Sequence, residues 1–411
     1  MRHHLFHLAA TSALCLTATA ISGEWNRFRG PNGTGLGEAT NLPARWETAD
    51  FAWTLDLPGP GHSSPVFRGD RLFVNCASPE DGAVLTLAVD ANTGRLLWRK
   101  AFGGGGFVTH RNNTLASSTP ATDARHVYVA HQAGDQVTLY ALDHAGETAW
   151  KFPLGNVESQ HGFGHSPIVH RDLVIYSKDG INPGRIVALD AATGTLRWEV
   201  PRSGGRADYS TPCVHQPTPG PALLIFNTAE DAITAVEATT GRVAWVSPPV
   251  LDKRSVSSPI VADGLLISSC GSGGGGNYVV ALRPPSTADA APEKAWEIRR
   301  SAPYVPTPLA LGQWLFLWSD GGVVSCVATA TGDPVWRERV GGDYFSSPVF
   351  ADGKLYNVST AGQIVAIEAG PAFKLLGRTE LGEVSHATPA VALGRLYVRT
   401  LTRIHCLPPV R

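Results

Sequence analysis

The chain has 411 residues, a formal net charge of −1 and only 17% charged residues, with 44 glycines and 30 prolines. A neutral balance argues against a nucleic-acid partner, which selects for a clustered basic face. Sparse charge with many turn formers argues against long helices and suits an all-β chain with tight turns.

In chain order, the first element reads as a leader. Arg2, His3 and His4 precede an apolar stretch, Leu5 to Thr17, that is too short for a comfortable membrane span. Ala18-Thr19-Ala20 then offers small residues for cleavage. Residues 1–23 are therefore expected to be a signal peptide, and the mature protein to be periplasmic or secreted. Leu14 is too bulky for the usual lipoprotein signal at Cys15. No later segment is long and apolar enough to span a membrane. Residues 24–50 form an extension, and Phe51 to Leu57 reads as a strand with a Trp but without the strands that should precede it.

From there the chain repeats. Ser-Pro or Thr-Pro pairs occur at Ser64, Thr119, Ser166, Thr211, Ser258, Thr307, Ser347 and Thr388, with prolines 55, 47, 45, 47, 49, 40 and 41 residues apart. A period of about 40–50 residues with short strands in each unit predicts a β-propeller. The unit from Ser166 reads as four strands: 168–170, 173–176, 185–190 and 195–199, with turn residues between them. Its third turn, Asp190-Ala191-Ala192-Thr193-Gly194, pairs an Asp that can accept turn amides with a Gly that can take positive φ and rejoin the ladder through a bulge. A Trp follows four residues after such a Gly at Trp98, Trp150, Trp198, Trp245 and Trp336, and Trp296 belongs to the same series. These indoles are expected to pack between blades.

The last unit stops one strand short, after 403–407. Joined to residues 51–57 it completes a ring and hides two sheet edges. The fold class is thus all-β: an eight-bladed propeller of four-stranded antiparallel blades over 51–411, the last closed by an N-terminal strand. Seven blades remain the alternative if 208–249 or 385–407 merges.

The stretches "SSPVF-ADGKLY-…-GQIVAIEA" at 346–369 and "TATGDPVW" at 329–336 resemble the pyrroloquinoline-quinone (PQQ)-like repeat. That family includes eight-bladed quinoprotein dehydrogenases and BamB-like scaffold proteins. The resemblance covers about residues 50–411 and implies the fold. Trp25-Asn26-Arg27-Phe28-Arg29-Gly30-Pro31-Asn32-Gly33 resembles an opening of exported members of the family, expected along the outside of the ring or plugging one end. The quinoprotein dehydrogenases hold PQQ between a Trp and a disulfide of adjacent cysteines, beside calcium. Here Cys76, Cys213, Cys270, Cys326 and Cys406 are all separate. They read as small buried residues, with one cross-blade disulfide possible and at least one free thiol. No cofactor and no metal site is expected, PQQ with calcium entering only under the enzyme alternative. The Gly runs at 103–106 and 273–276 lack the helix and Lys-Ser/Thr of a phosphate loop.

A propeller supplies a site by geometry, at the mouth of its central channel. The residues three before each Pro should ring that mouth: His62, Ser117, Gly164, Tyr209, Val256, Val305, Phe345 and His386. From these and their neighbours, the candidate ligand-binding residues are His62, His110, Arg111, His161, His165, Arg206, Asp208, Tyr209, Arg254, Tyr304, Tyr344 and His386. Arg111, Arg206 and Arg254 would favour an anion. No catalytic residue is assigned. The expected function is a monomeric, non-catalytic binding or scaffold module for a protein or envelope component. The alternatives are a PQQ-dependent quinoprotein-type oxidoreductase and a propeller hydrolase or lyase.

Overall fold

The computed structural model describes residues 24–104, 106–285 and 290–410; the expected signal peptide lies outside them. Eight four-stranded antiparallel sheets form the ring. Seven are built from consecutive strands, beginning with Val66–Arg68, Arg71–Ala77, Val84–Asp90 and Leu96–Phe102 in blade 1. Blade 8 joins Ala390–Ala392, Arg395–Arg399 and Arg403–Leu407 to the N-terminal strand Trp53–Asp56. The closing register pairs Trp53 with Cys406, Thr54 with His405, Leu55 with Ile404 and Asp56 with Arg403. This is the closure expected from residues 51–57 and 403–407, with the paired part limited to four residues. Among the described residues all five cysteines are buried and unpaired, so no cross-blade disulfide forms there.

The Ser/Thr-Pro repeat has a clear physical role. Each backbone amide at the Ser or Thr donates to the hydroxyl of its counterpart in the next blade. Ser64 donates to Thr119 at 3.0 Å, Thr119 to Ser166 at 3.0 Å and Thr211 to Ser258 at 3.0 Å. Ser258 donates to Thr307 at 3.0 Å, Thr307 to Ser347 at 2.9 Å and Ser347 to Thr388 at 3.0 Å. Thr388 then returns to Ser64 at 3.1 Å and closes the circle. Seven of the eight junctions carry this bond; the Ser166–Thr211 junction does not. The Pro that follows has no N–H to leave unsatisfied and fixes the chain as it enters the inner strand. A Ser or Thr suits the place because its amide donates forwards to the next blade while its hydroxyl accepts from the blade before.

The Trp series locks the opposite end of the same junctions. Trp98 donates its indole N–H to His144 O at 2.9 Å, Trp150 to Ala191 O at 3.1 Å and Trp198 to Ala238 O at 3.0 Å. Trp296 reaches Thr329 O at 3.0 Å, Trp336 reaches Gly370 O at 2.9 Å, and Trp53 reaches Ala91 O at 3.1 Å across the closing seam. Every acceptor lies in the third turn of the following blade. The turn glycine serves two demands at once. Gly194 has φ +72, and a Cβ there would stand 2.6 Å from Trp150. The expected bulge is present as a register shift between the third and fourth strands, as at Ala188/Leu189. The core is accordingly divided into inter-blade layers, such as Ile175, Trp198, Leu224 and Val236 between blades 3 and 4.

The extension first crosses one end of the ring and then reaches the outermost strand of blade 7. Trp25 O accepts from Phe67 N at 2.7 Å and Asn26 O from Thr122 N at 2.8 Å. Asn32 exchanges two bonds with Val214, and Leu36 bridges Phe350 in parallel. Arg27 gives Nη2 to Pro212 O at 2.6 Å, and Arg29 gives Nη1 to Thr307 O at 2.8 Å. Farther on, Trp46 exchanges bonds with Thr379 in blade 7. The segment therefore ties blades 1, 2, 4, 6 and 7 together and plugs the channel.

Candidate functional site at the channel mouth

The plug makes the channel blind, leaving a cavity of about 1100 Å³ open at the other face. Phe28 lines it from the plug, and seven of the eight Ser/Thr residues of the hydroxyl ring line its wall. All eight residues three before the prolines line the cavity as well. In each blade the antiparallel order brings the turn between the second and third strands to this same mouth. Asp320, Thr360 and Asn277 enter the wall that way, a contribution that the Ser/Thr-Pro spacing does not report.

Of the twelve candidate residues, His62, His110, Arg111, His161, Tyr209, Arg254, Tyr304 and His386 line the cavity. His165, Arg206, Asp208 and Tyr344 do not. The backbone before each Pro is extended, so side chains alternate. Positions one and three before Pro face the cavity, whereas His165, at two, is buried in the wall at 3% exposure. Asp208 and Tyr344, at four, are buried too, whereas Tyr304, at the same place before Pro308, reaches the cavity. Asp208 accepts amides from Ser255 at 2.5 Å and Ala229 at 3.2 Å, and burial pushes its carboxyl up to about 7. Arg206 stands outside, donating to Asp252 O at 3.0 Å with Glu230 at 3.7 Å.

The lining has two distinct sides. On one, His62 stacks on His386 with centroids 4.2 Å apart, and Phe345 meets His386 edge-on at 4.9 Å. Burial first, then the nearby His386 and Arg399, push the His62 imidazole down to about 3. His62 is therefore a neutral aromatic surface at neutral pH. On the other side, Arg254 donates Nε to Ala207 O at 2.8 Å and lies 2.7 Å from His161 Nε2 through Nη1. Since arginine only donates, His161 Nε2 accepts, and its proton sits on Nδ1. Desolvation, then Arg254, then His110, hold the His161 imidazole below its usual value.

The connection from blade 1 to blade 2 arches over this mouth. His110 N donates to His161 O at 3.2 Å, and Asn113 Nδ2 donates to His161 O at 2.7 Å and Phe163 O at 3.2 Å. Its far side touches blade 8, where His386 Nδ1 donates to Asn112 O at 3.1 Å. Arg111 lies on this strap between the two anchors.

The donor set does not match a quinone clamp of the quinoprotein type. Among the described residues no Trp and no Cys lines the cavity, and Asp320 and Asp343 are its only carboxylates. Asp320 already accepts amides from Tyr304 at 2.7 Å and Val305 at 3.1 Å. Among the described residues no group of three or more His, Cys, Asp or Glu is arranged to hold a metal ion. None of their helices is long and apolar enough to cross a membrane.

Eight four-stranded blades joined by Ser/Thr-Pro hydroxyls and inter-blade tryptophans define a PQQ-like propeller. The family model described as "Outer membrane protein assembly factor BamB" matches residues 41–139, 136–288 and 276–400, and the chain belongs to that family. The BamB of Yersinia pestis is 23% identical over 235 residues, covering 52% of this chain and 56% of that protein. A tetrathionate hydrolase of Acidithiobacillus ferrooxidans is 24% identical over 250 residues, covering 56% of this chain and 45% of that protein. The matches thus span about half the length of these curated relatives. Among solved structures, BamB from Moraxella catarrhalis superposes with TM-score 0.64 at 15% identity, over 87% of this chain and 97% of that one. The quinohemoprotein alcohol dehydrogenase of Comamonas testosteroni gives 0.67 at 14% identity, over 95% and 82%. At such identity these two similarities speak for the fold alone.

Proposed function

We propose that the protein is an exported, non-catalytic propeller that holds a protein or envelope component at its channel mouth. The observation that carries this reading is the blind cavity. Rigid blades and a strap converge aromatic and cationic groups on one opening, which is the geometry of a recognition site. The assembly-factor name of the matching family supports a protein as the occupant and the cell envelope as the place. The unpaired buried cysteines and the closed ring fit a monomer that presents a preformed surface. The oxidoreductase alternative has no Trp or Cys clamp at the cavity among the described residues, while the hydrolase or lyase alternative draws on the same mouth His and Arg residues and on the similarity to a tetrathionate hydrolase.

Site-specific photo-crosslinking in cells that make the protein tests this. A benzophenone side chain at Val384, which is exposed on the mouth, should give a discrete protein adduct. The same group at Leu375, exposed on an outermost strand, should not. An adduct from Leu375 alone, or from neither position, would overturn the reading.

A further inference from the structure

The charges around the channel are not balanced locally. Among the described residues, no carboxylate oxygen lies within 4 Å of the guanidinium of Arg27, Arg29, Arg111, Arg254 or Arg399. Arg27, Arg29 and Arg399 are almost fully buried and are satisfied only by backbone carbonyls, as where Arg399 Nη1 meets Ser63 O at 2.8 Å and Asn75 O at 2.6 Å. Their Nε atoms have no partner at all. Buried, unpaired cations raise the potential of the space they surround, and low dielectric lets that potential act at a distance.

The two arginines on the cavity surface stand on separate elements. Arg254 is held on the wall by Ala207 O and by a bridge between its own residue and Gly271. Arg111 hangs from the strap, anchored on both sides by His161 and His386. Tyr209 stands beside them with its hydroxyl bonded to Ser159 Oγ at 2.6 Å and to Gly162 O at 3.0 Å. The contact between Arg254 and His161 is itself informative. An arginine that donates to a neutral imidazole has an acceptor weaker than a carboxylate, and an arriving oxyanion would replace it. Asp208, the acid beneath Arg254, is turned to the amides of Ser255 and Ala229 and leaves the guanidinium available.

We propose that the Arg254–His161–Arg111 side of the mouth binds an oxyanion, a carboxylate, phosphate or sulfate group, clamped between wall and strap. The proposal rests on reading the mouth as a binding site and names the chemistry of its occupant. The group can be carried by a free small molecule or by the carboxylate of a partner segment. Either source presents two or three oxygens to guanidinium forks that no protein carboxylate fills.

The test uses the full-length mature protein with labelled histidine. The pKa of the His161 ring is followed by NMR in sodium chloride, then in inorganic phosphate and inorganic sulfate at matched ionic strength. Bound anion should raise the His161 pKa by about one unit, because it neutralises Arg254 and offers the ring an acceptor. The effect should vanish in Arg254→Met and weaken in Arg111→Met, while His170, remote from the cavity, stays unchanged in all buffers. A pentapeptide with a free C-terminal carboxylate, compared with its amidated form, distinguishes the two sources. A rise with the free acid alone assigns the partner-borne group, and a rise with the inorganic ions assigns the free one. If no anion moves His161 while Arg254→Met alone does, the pair is real and the proposal is wrong. A discrete crosslink from Val384 in a wild-type protein whose His161 no anion moves would sink this inference and leave the scaffold reading standing. Anion binding without any crosslink would do the reverse.

Discussion

The amide of Thr388 donates to the hydroxyl of Ser64, 324 residues earlier in the chain, at 3.1 Å. The same bond recurs at six other junctions, so the ring is stitched at its narrowest circumference by one chemical unit used seven times. The exception, Ser166 to Thr211, supplies an internal control. Thr388→Val removes the acceptor of a buried amide, that of Ser347, and should cost about 1–3 kcal/mol. Thr211→Val keeps the same volume where the hydroxyl accepts no ring bond and should cost less than about 1 kcal/mol. Urea unfolding of both variants decides it; equal losses would mean that the hydroxyl ring contributes nothing specific.

The Gly–Trp contacts give a second matched pair. Gly94 has φ +74, and a Cβ would lie 2.7 Å from Trp53 on the closing strand. Gly394 has nearly the same φ, +69, but nothing within 4 Å of such a Cβ. Gly394→Ala should therefore show the backbone penalty alone, about 1 kcal/mol. Gly94→Ala should add displacement of the indole and the loss of its bond to Ala91 O, at least about 2 kcal/mol more. Thermal unfolding of the two variants should differ by several degrees.

His405 makes the closing seam sensitive to acid. It pairs with Thr54, whose hydroxyl lies 3.1 Å from Nδ1, and it stacks on Phe51 at 4.8 Å. Burial first, then Arg403, lower its pKa from 6.5 to about 4, against the opposing pull of Glu383 and Asp56. Above pH 6.5 the ring is neutral whether folded or not, and its contribution is whole. Between pH 6.5 and about 4 the unfolded chain takes a proton that the folded protein refuses, so stability falls by an amount on the order of 3 kcal/mol. His405→Phe keeps the stack on Phe51 and should flatten this part of the stability curve, measured by denaturant titration at pH 7 and pH 4.5. An unchanged slope would place the acid sensitivity elsewhere.

The plug depends on planar guanidinium geometry. Arg29 serves Thr307 O at 2.8 Å, Pro308 O at 3.2 Å and Thr34 O at 3.3 Å from one buried head group, whose pKa burial lowers to about 9. Lysine cannot span these acceptors. Arg29→Lys should destabilise by about 1–3 kcal/mol and increase amide exchange at Phe67 and Thr122, whose N–H groups bond the extension. Wild-type exchange rates at those amides would count against the plug acting as one unit.

The ring was legible because its repeat is covalent in the sequence. Each Ser/Thr-Pro and each Gly with its following Trp fulfils a local demand repeated every 40–50 residues, and even the closure could be read from the strand missing after 403–407. The position three before Pro marked eight lining residues for the same reason. What failed was the widening of that rule to neighbours. His165, Asp208 and Tyr344 fall on the other side of an extended backbone and point into the wall. Phe28, Asp320 and Asn277 reach the cavity from the plug and from second turns. Their sequence spacing from the Ser/Thr-Pro pairs carries no constant period, so only the folded ring brings them together.

The closing strand also sets an order of events. Thr54 finds His405 only after another 351 residues have been made. At the usual pace of synthesis, 5–20 residues per second, that interval is roughly 20–70 s. Blades 1 to 7 can stack as they emerge, yet the first strand of the ring must wait for the last, and so must the part of the plug that docks on blades 6 and 7. The strand Trp53–Asp56 is thus made early and paired last. A chain stalled or cut shortly before residue 403 would leave Trp53–Asp56 and the strand Arg395–Arg399 without their shared partner, so the seam forms only once Arg403–Leu407 has been made.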